Sequence, residues 1–279
     1  MTKKLTLKRR IKPTLEAIAQ DASHLNRDAL LELQRIIEQL LEAPVKEEAG
    51  AIMNETQQAI TEEIVEPLAL LKQGVDVWNE WREQHPGINL DFKGVDFSGV
   101  TLELINLSGV NLELVNLSGA DLRGAFLQSA NLQGANLYMA DLLWVNLQGA
   151  NLQGANLQGV DLYKANLSNA NLFEANLSQA NIRRAKLLQA NLEAANLVEA
   201  DLLEANLMQA NLSKADLHKA NLESANLMEV NLEGANILEA NFSKANLRRA
   251  KLTQTNFHKA NSNAAILKGA IMPDGIIYG

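Results

Sequence analysis

From Leu90 to Asp274 the hydrophobic positions recur every five residues without losing register. Each unit reads Ala, then Asn or Asp, then Leu, then two variable residues. Of 37 such units, 29 carry Leu at the third place and 27 carry Ala at the first. The other third-place residues are Phe92, Phe97, Ile182, Ile237, Phe242, Phe257, Ser262 and Met272, and only Ser262 is polar. A helical stripe needs apolar residues three and four apart, and a flat strand needs them two apart. A period of five suits neither. It suits a chain that runs extended briefly, turns a corner and repeats. Places one and three then point the same way from a short strand. They are the apolar places, so that way is inward, and places two, four and five face out or form the corner. Four sides close a coil of 20 residues. Stacked at ~4.8 Å, the units make about nine coils and a rod of roughly 45 Å.

The first 86 residues lack this period and read as α-helix. Leu30, Leu33, Ile37 and Leu40 fall on one helical face, with Asn26 as N-cap and Pro44 as the stop. Further helices are predicted through Ile52 to Ile64 and, after Pro67, through Leu71, Val75 and Trp78. The organisation predicted is a helical domain at 1–86, the repeating tract at 87–274 and a tail at 275–279. The apolar face at Leu30 to Leu40 is long for so small a domain, which suggests a homodimer through these helices. Trp78 and Trp81, just before the tract, are candidates for a cap over its first coil, whose bare edge would invite aggregation. The larger first-place residues from Leu90 to Val115 should widen the first coils to meet that cap.

At the fifth place, Gly is common up to Gly159 and rare afterwards. A type II turn needs a positive φ there, which Gly allows. Type II corners are therefore expected mainly in the first half, with another turn type where Glu, Lys or Gln stands. Near the far end, Phe242 and Phe257 should offset the volume lost at Ser262, and Pro273 should stop the ladder.

The run ANLQGANLQGVDLYKANLSNANL, from Ala150 to Leu172, resembles the pentapeptide-repeat protein family. The resemblance implies a right-handed quadrilateral β-helix preceded here by a small α-helical domain, and many similar proteins are bacterial, notably cyanobacterial. Some members protect DNA gyrase by imitating DNA, which gives one alternative function. Such a mimic should be strongly acidic. From Leu90 onward the chain has 18 acidic and 14 basic residues, a net charge of only −4.

The whole chain carries a net charge of −8, against direct nucleic-acid binding, and no cysteine, so no thiolate metal site. No stretch reaches the length of a membrane span, and a cytoplasmic location is expected. The basic arm from Lys3 to Lys12 reads as a solvated tail. No catalytic set, cofactor motif or metal cluster stands apart from the repeat. His218 and His258 lie two coils apart. Asp121, Asp141 and Asp161 stack at the second place; they suit a hard cation, but a corner-steadying role like that of Asn explains them as well. The reading is a non-enzymatic scaffold that binds a protein partner. Its candidate surface is an outward apolar cluster of Tyr138, Met139, Leu143, Trp144 and Tyr163, with Leu188, Met208 and Met228 as a weaker second.

Overall fold

A computed structural model describes residues 67–279. The chain divides into two compact units between Asp91 and Phe92. In the first unit, residues 67–73 are helical. Gly74, at φ 119°, separates them from helix α1, Val75–Gln84. The helix stops before Pro86, and the His85 amide closes it onto the Trp81 carbonyl at 3.0 Å. Trp78 is fully buried and Trp81 half-buried, their rings 5.7 Å apart, and the His85 ring stacks on Trp81 at 4.8 Å. The helices predicted before Pro67, the face Leu30–Leu40 with its dimer contact, and the basic arm lie outside the described residues.

The second unit is a solenoid of 20-residue coils. Second-place residues pair in parallel with the residue 20 positions on, as in Asn131–Asn151–Asn171, and the four families of pairs define four sides. The first side begins at Leu90, the second at Val95, the third at Val100 and the fourth at Ile105. First and third places are buried almost without exception from Leu102 to Leu252, while second, fourth and fifth places are exposed or half-buried apart from Ser213. The inward and outward assignment follows from the period alone. It relaxes at both ends: Val95 is half-buried and Val100 39% exposed at the start, and Ala260, Ser262, Ala265, Leu267 and Met272 are half-buried at the far end.

A unit with Asn or Asp at its second place uses all five of its amides. The Leu117 amide donates to the Asn136 carbonyl one coil on, at 2.7 Å, and the Asn136 amide donates back to Val115 at 2.9 Å. Gly119 donates to Tyr138 of the next coil, and Ala120 closes the corner on Leu117. The fourth-place amide, Ser118, donates to the Asn116 side chain at 3.2 Å. This last bond explains why the second place is Asn or Asp. A second bond favours Asn: Asn136 Nδ2 donates to Asn116 Oδ1 at 3.1 Å, and the same contact repeats up each side. The side chains thus form ladders parallel to the backbone ladder, in which each Asn both donates and accepts.

The corners correct one expectation. The fifth place has positive φ at every unit from Gly94 to Gly269 except Lys259, whether the residue is Gly119 at 63° or Glu199 at 58°. With the closing bond from the following first place, this is the type II signature throughout. Charged residues therefore do not change the turn type. The reason lies between coils: the Lys164 amide is held by the Arg183 carbonyl at 3.0 Å, as Gly119 is by Tyr138. Neighbouring coils over-determine the backbone, so a side chain accepts the left-handed conformation at a cost of order 1 kcal/mol.

The far end departs from the repeat. Phe257 opens a short 3-10 turn, Phe257–Lys259. The Asn256 side chain takes the Ile237 amide, at 2.8 Å, that a backbone carbonyl takes elsewhere. Phe242 and Phe257 are both buried, 6.2 Å apart, in keeping with the volume argument. After Pro273 the chain reverses. Ile277 pairs antiparallel with Ile271, and Tyr278 exchanges bonds with Gly269 and Ala270 at 2.7 and 2.8 Å. The final residues thus occupy ladder groups that the next coil would otherwise take.

Candidate binding surface

Between Leu102 and Leu252 the exposed large apolar groups all lie in the first half of the solenoid. Trp144 is 59% exposed, Met139 58% and Tyr138 45%. Leu143 and Tyr163 are half-buried. Tyr138 and Met139 occupy the corner from the second to the third side, and Leu143, Trp144 and Tyr163 the corner from the third to the fourth. The backbone links them: the Trp144 amide donates to the Tyr163 carbonyl at 3.0 Å. The second candidate set, Leu188, Met208 and Met228, is half-buried at all three positions. Stacked one coil apart on the fourth side, these residues lie within reach of covering one another.

Two exposed apolar residues join the surface that sequence reasoning did not single out, Leu104 and Phe126, at 54% and 43%; Leu114, at 57%, lies apart on the corner from the first to the second side. Leu104 and Leu114 occupy fifth places, each followed one coil on by glycine. A Cβ on Gly124 would stand 2.7 Å from Leu104 Cδ2, and one on Gly134 2.8 Å from Leu114 Cδ2. Met139 lies over Gly159 in the same way, with Sδ 2.6 Å from such a Cβ. These glycines give the large side chain of the preceding coil a place to lie. Phe126 was visible in the sequence as a second place that is neither Asn nor Asp. It stands between Asn106 and Asn146, where it can neither accept the fourth-place amide nor continue the side-chain ladder.

The acidic stack has a structural explanation. Elsewhere an Asp at the second place receives the Asn of the next coil, as Asn181 Nδ2 reaches Asp161 at 2.9 Å and Asn221 reaches Asp201 at 3.0 Å. Asp121 and Asp141 lack such an Asn; Arg123 supplies donors to Asp121 and an ion pair to Asp141 instead. Its Nε and Nη2 lie 2.8 and 2.7 Å from Asp121, 3.8 Å separates Nε from Asp141, and Glu103 is 3.2 Å away. The bonded guanidinium holds the Asp121 carboxyl below its ordinary value. Among the described residues no group of three or more His, Cys, Asp or Glu is placed to hold a metal ion. His218 Nδ1 lies 3.0 Å from the Leu238 carbonyl, while His258 is exposed. No described helix is long and apolar enough to cross a membrane.

A family profile described as Pentapeptide repeats matches in eight copies, the first at 91–128 and the last at 225–261. The chain belongs to the pentapeptide repeat family. Among solved structures it is similar to HetL, a pentapeptide repeat protein involved in heterocyst differentiation regulation from the cyanobacterium Nostoc sp., at 36% identity over 68% of this chain and 88% of that one, with a TM-score of 0.44. It is also similar to Rfr23, a pentapeptide repeat protein from the cyanobacterium Cyanothece, at 32% identity over 42% and 86%, TM-score 0.21. QnrB1, a plasmid-mediated fluoroquinolone resistance protein, matches at 19% identity over 63% and 79%, TM-score 0.45. No curated protein matches.

Within this pentapeptide repeat chain the charged second half forms its own surface ladders. Gln189, Gln209, Glu229 and Arg249 connect in series at 3.0, 2.9 and 3.2 Å. Lys214 pairs with Glu193, Lys244 with Glu223, Lys251 with Glu233 and Arg184 with Glu204. All are solvated pairs, each worth little to stability. They match the side-chain length of one coil to the next, and the apolar residues of the first half are the departure from that rule.

Proposed function

We propose that this pentapeptide repeat protein is a non-enzymatic scaffold that binds another protein through the apolar surface of its first coils. The observation that carries the reading is the exposure of Tyr138, Met139 and Trp144, and of Phe126 one coil before Trp144, on a solenoid whose later outward apolar residues Leu188, Met208 and Met228 are half-buried. Aromatic residues and Met are the types enriched at the cores of protein interfaces. Their side chains leave the axis alone, so structure does not require them. The 20-residue repeat makes the surface rigid, which reduces the ordering cost of binding.

The test is affinity capture by the full chain, wild type against Trp144→Ala/Tyr163→Ala. The double variant should fold like the wild type and lose its specific captured protein by at least ~2 kcal/mol in affinity, the scale of an anchor residue. Unchanged capture would remove the surface from the proposal. The alternative, gyrase protection by DNA mimicry, has less support, because the tract is only weakly acidic and Lys164, Arg183, Arg184 and Lys186 interrupt it.

A further inference from the structure

The fourth side gives up its ladder residue at two mid-solenoid positions, Phe126 and Lys186. Both side chains are exposed. Three coils separate them, or ~14 Å at the spacing of paired strands. The corner leading into this side changes in step: Trp144 stands one coil before Lys164, and Lys164 one coil before Arg184. Tyr163 joins the two zones. Lys164 Nζ lies 5.3 Å from its ring centroid, and Arg184 Nη1 donates to its hydroxyl at 3.3 Å. Arg184 is shared with Glu204 at 2.8 Å, whereas among the described residues no carboxylate lies within ion-pair distance of Lys164 or Lys186.

On the reading that this surface binds a protein, we infer that its partner presents an acidic segment: an aromatic or aliphatic anchor for Phe126 and Trp144, followed by carboxylates for Lys164 and Lys186. Charge complementarity selects the sign, since the strip passes from apolar to cationic on a chain whose net charge is −8. The backbone amides of this side are engaged between coils, as in Leu147 to Asn166 and Asn166 to Val145, so the partner does not add a strand. Recognition runs through side chains. The ~14 Å from Phe126 to Lys186 corresponds to about four residues of extended chain at the strand rise or about nine of helix.

Synthetic peptides test this directly. Each has a Trp-Leu anchor and, three to ten residues later, a pair of Glu, Gln or Lys, and binding is read by fluorescence anisotropy against the full-length protein. Glu peptides should bind at least tenfold tighter than the Gln peptides of the same spacing, and Lys peptides should not bind. Phe126→Asn and Lys186→Asn each restore the residue that the ladder carries elsewhere, so neither endangers folding. Phe126→Asn should weaken the Glu and Gln peptides alike. Lys186→Asn with Lys164→Gln should abolish the preference for Glu and leave the anchor contribution. Equal binding of Glu and Lys peptides at every spacing, or a preference that survives the Lys variants, overturns the inference. So does a single-stranded oligothymidylate that binds this strip in place of the peptides. If the preference fails while capture of a cellular protein still depends on Trp144 and Tyr163, the partner class is wrong and the binding surface stands.

Discussion

Removing one rung of a side-chain ladder tests whether the second-place asparagines hold the coils together. Asn151 makes three such bonds: its Nδ2 donates to Asn131 at 3.0 Å, and its Oδ1 accepts from the Gln153 amide at 3.3 Å and from Asn171 Nδ2 at 3.0 Å. Asn151→Ala removes all three. A net hydrogen bond is worth about 0.5–1.5 kcal/mol, and the site is half-buried, so water recovers part of the loss. The lower end applies, about 1.5–2 kcal/mol in total. For a folded unit of this size that is a fall of roughly 3–8 °C in Tm. Asn151→Asp keeps both accepting bonds and sets an oxygen against Asn131 Oδ1, so its fall should be about half as large, from one donor bond lost. Thermal unfolding followed by circular dichroism reads both variants. Hydrogen exchange should show the loosening centred on the neighbouring coils, because each coil contacts only the next. If Asn151→Ala melts within a degree of wild type, the backbone ladder alone carries the fold and the asparagines are corner residues only.

Other expectations follow from the same structure. Leu157 is fully buried and Gln158 half-buried, so Leu157→Arg should disrupt the mid-solenoid while Gln158→Arg stays within ~0.5 kcal/mol of wild type in a denaturant titration. Arg123 lowers the Asp121 pKa, and paired side chains lower those of Glu223 and Glu229. Their stabilisation is present above the ordinary carboxylate range and is lost as pH falls through the lowered folded values. Tm should therefore drop on acidification, and in Arg123→Gln the Asp121 carboxyl should titrate at higher pH by NMR. Purified protein should leave gyrase supercoiling and its poisoning by quinolones unchanged; protection at near-stoichiometric amounts would restore the mimicry reading.

The sequence made the core legible because the period acts residue by residue: every inward Leu and Ala could be named from spacing alone. The double role of Asn was half legible. Its bond to a nearby amide follows from residue type, but the bond to the next coil needs the stacking in three dimensions. The corners misled for a related reason. Intrinsic preference points to glycine, whereas the turn is imposed by amides such as Lys164 bonding to the following coil. The exposed cluster around Trp144 could be read from its outward places. Phe126 is less legible, because the outward apolar pattern lies mostly at fourth and fifth places, although an aromatic in the asparagine column is itself a departure from the repeat. Arg123 looked like one more surface charge until its distances to Asp121 and Asp141 placed it as the substitute donor.

Site-directed photocrosslinking in the native cell tests the central claim most directly. A photoreactive residue is placed at Tyr138, Trp144 or Phe126, and as controls at Gln133 and Gln153 on the first side, opposite the third. The three apolar positions should each crosslink one and the same protein, and the controls should not. Crosslinking to that protein from the control positions with equal yield, or to none from all three apolar positions, would contradict a binding surface on these coils.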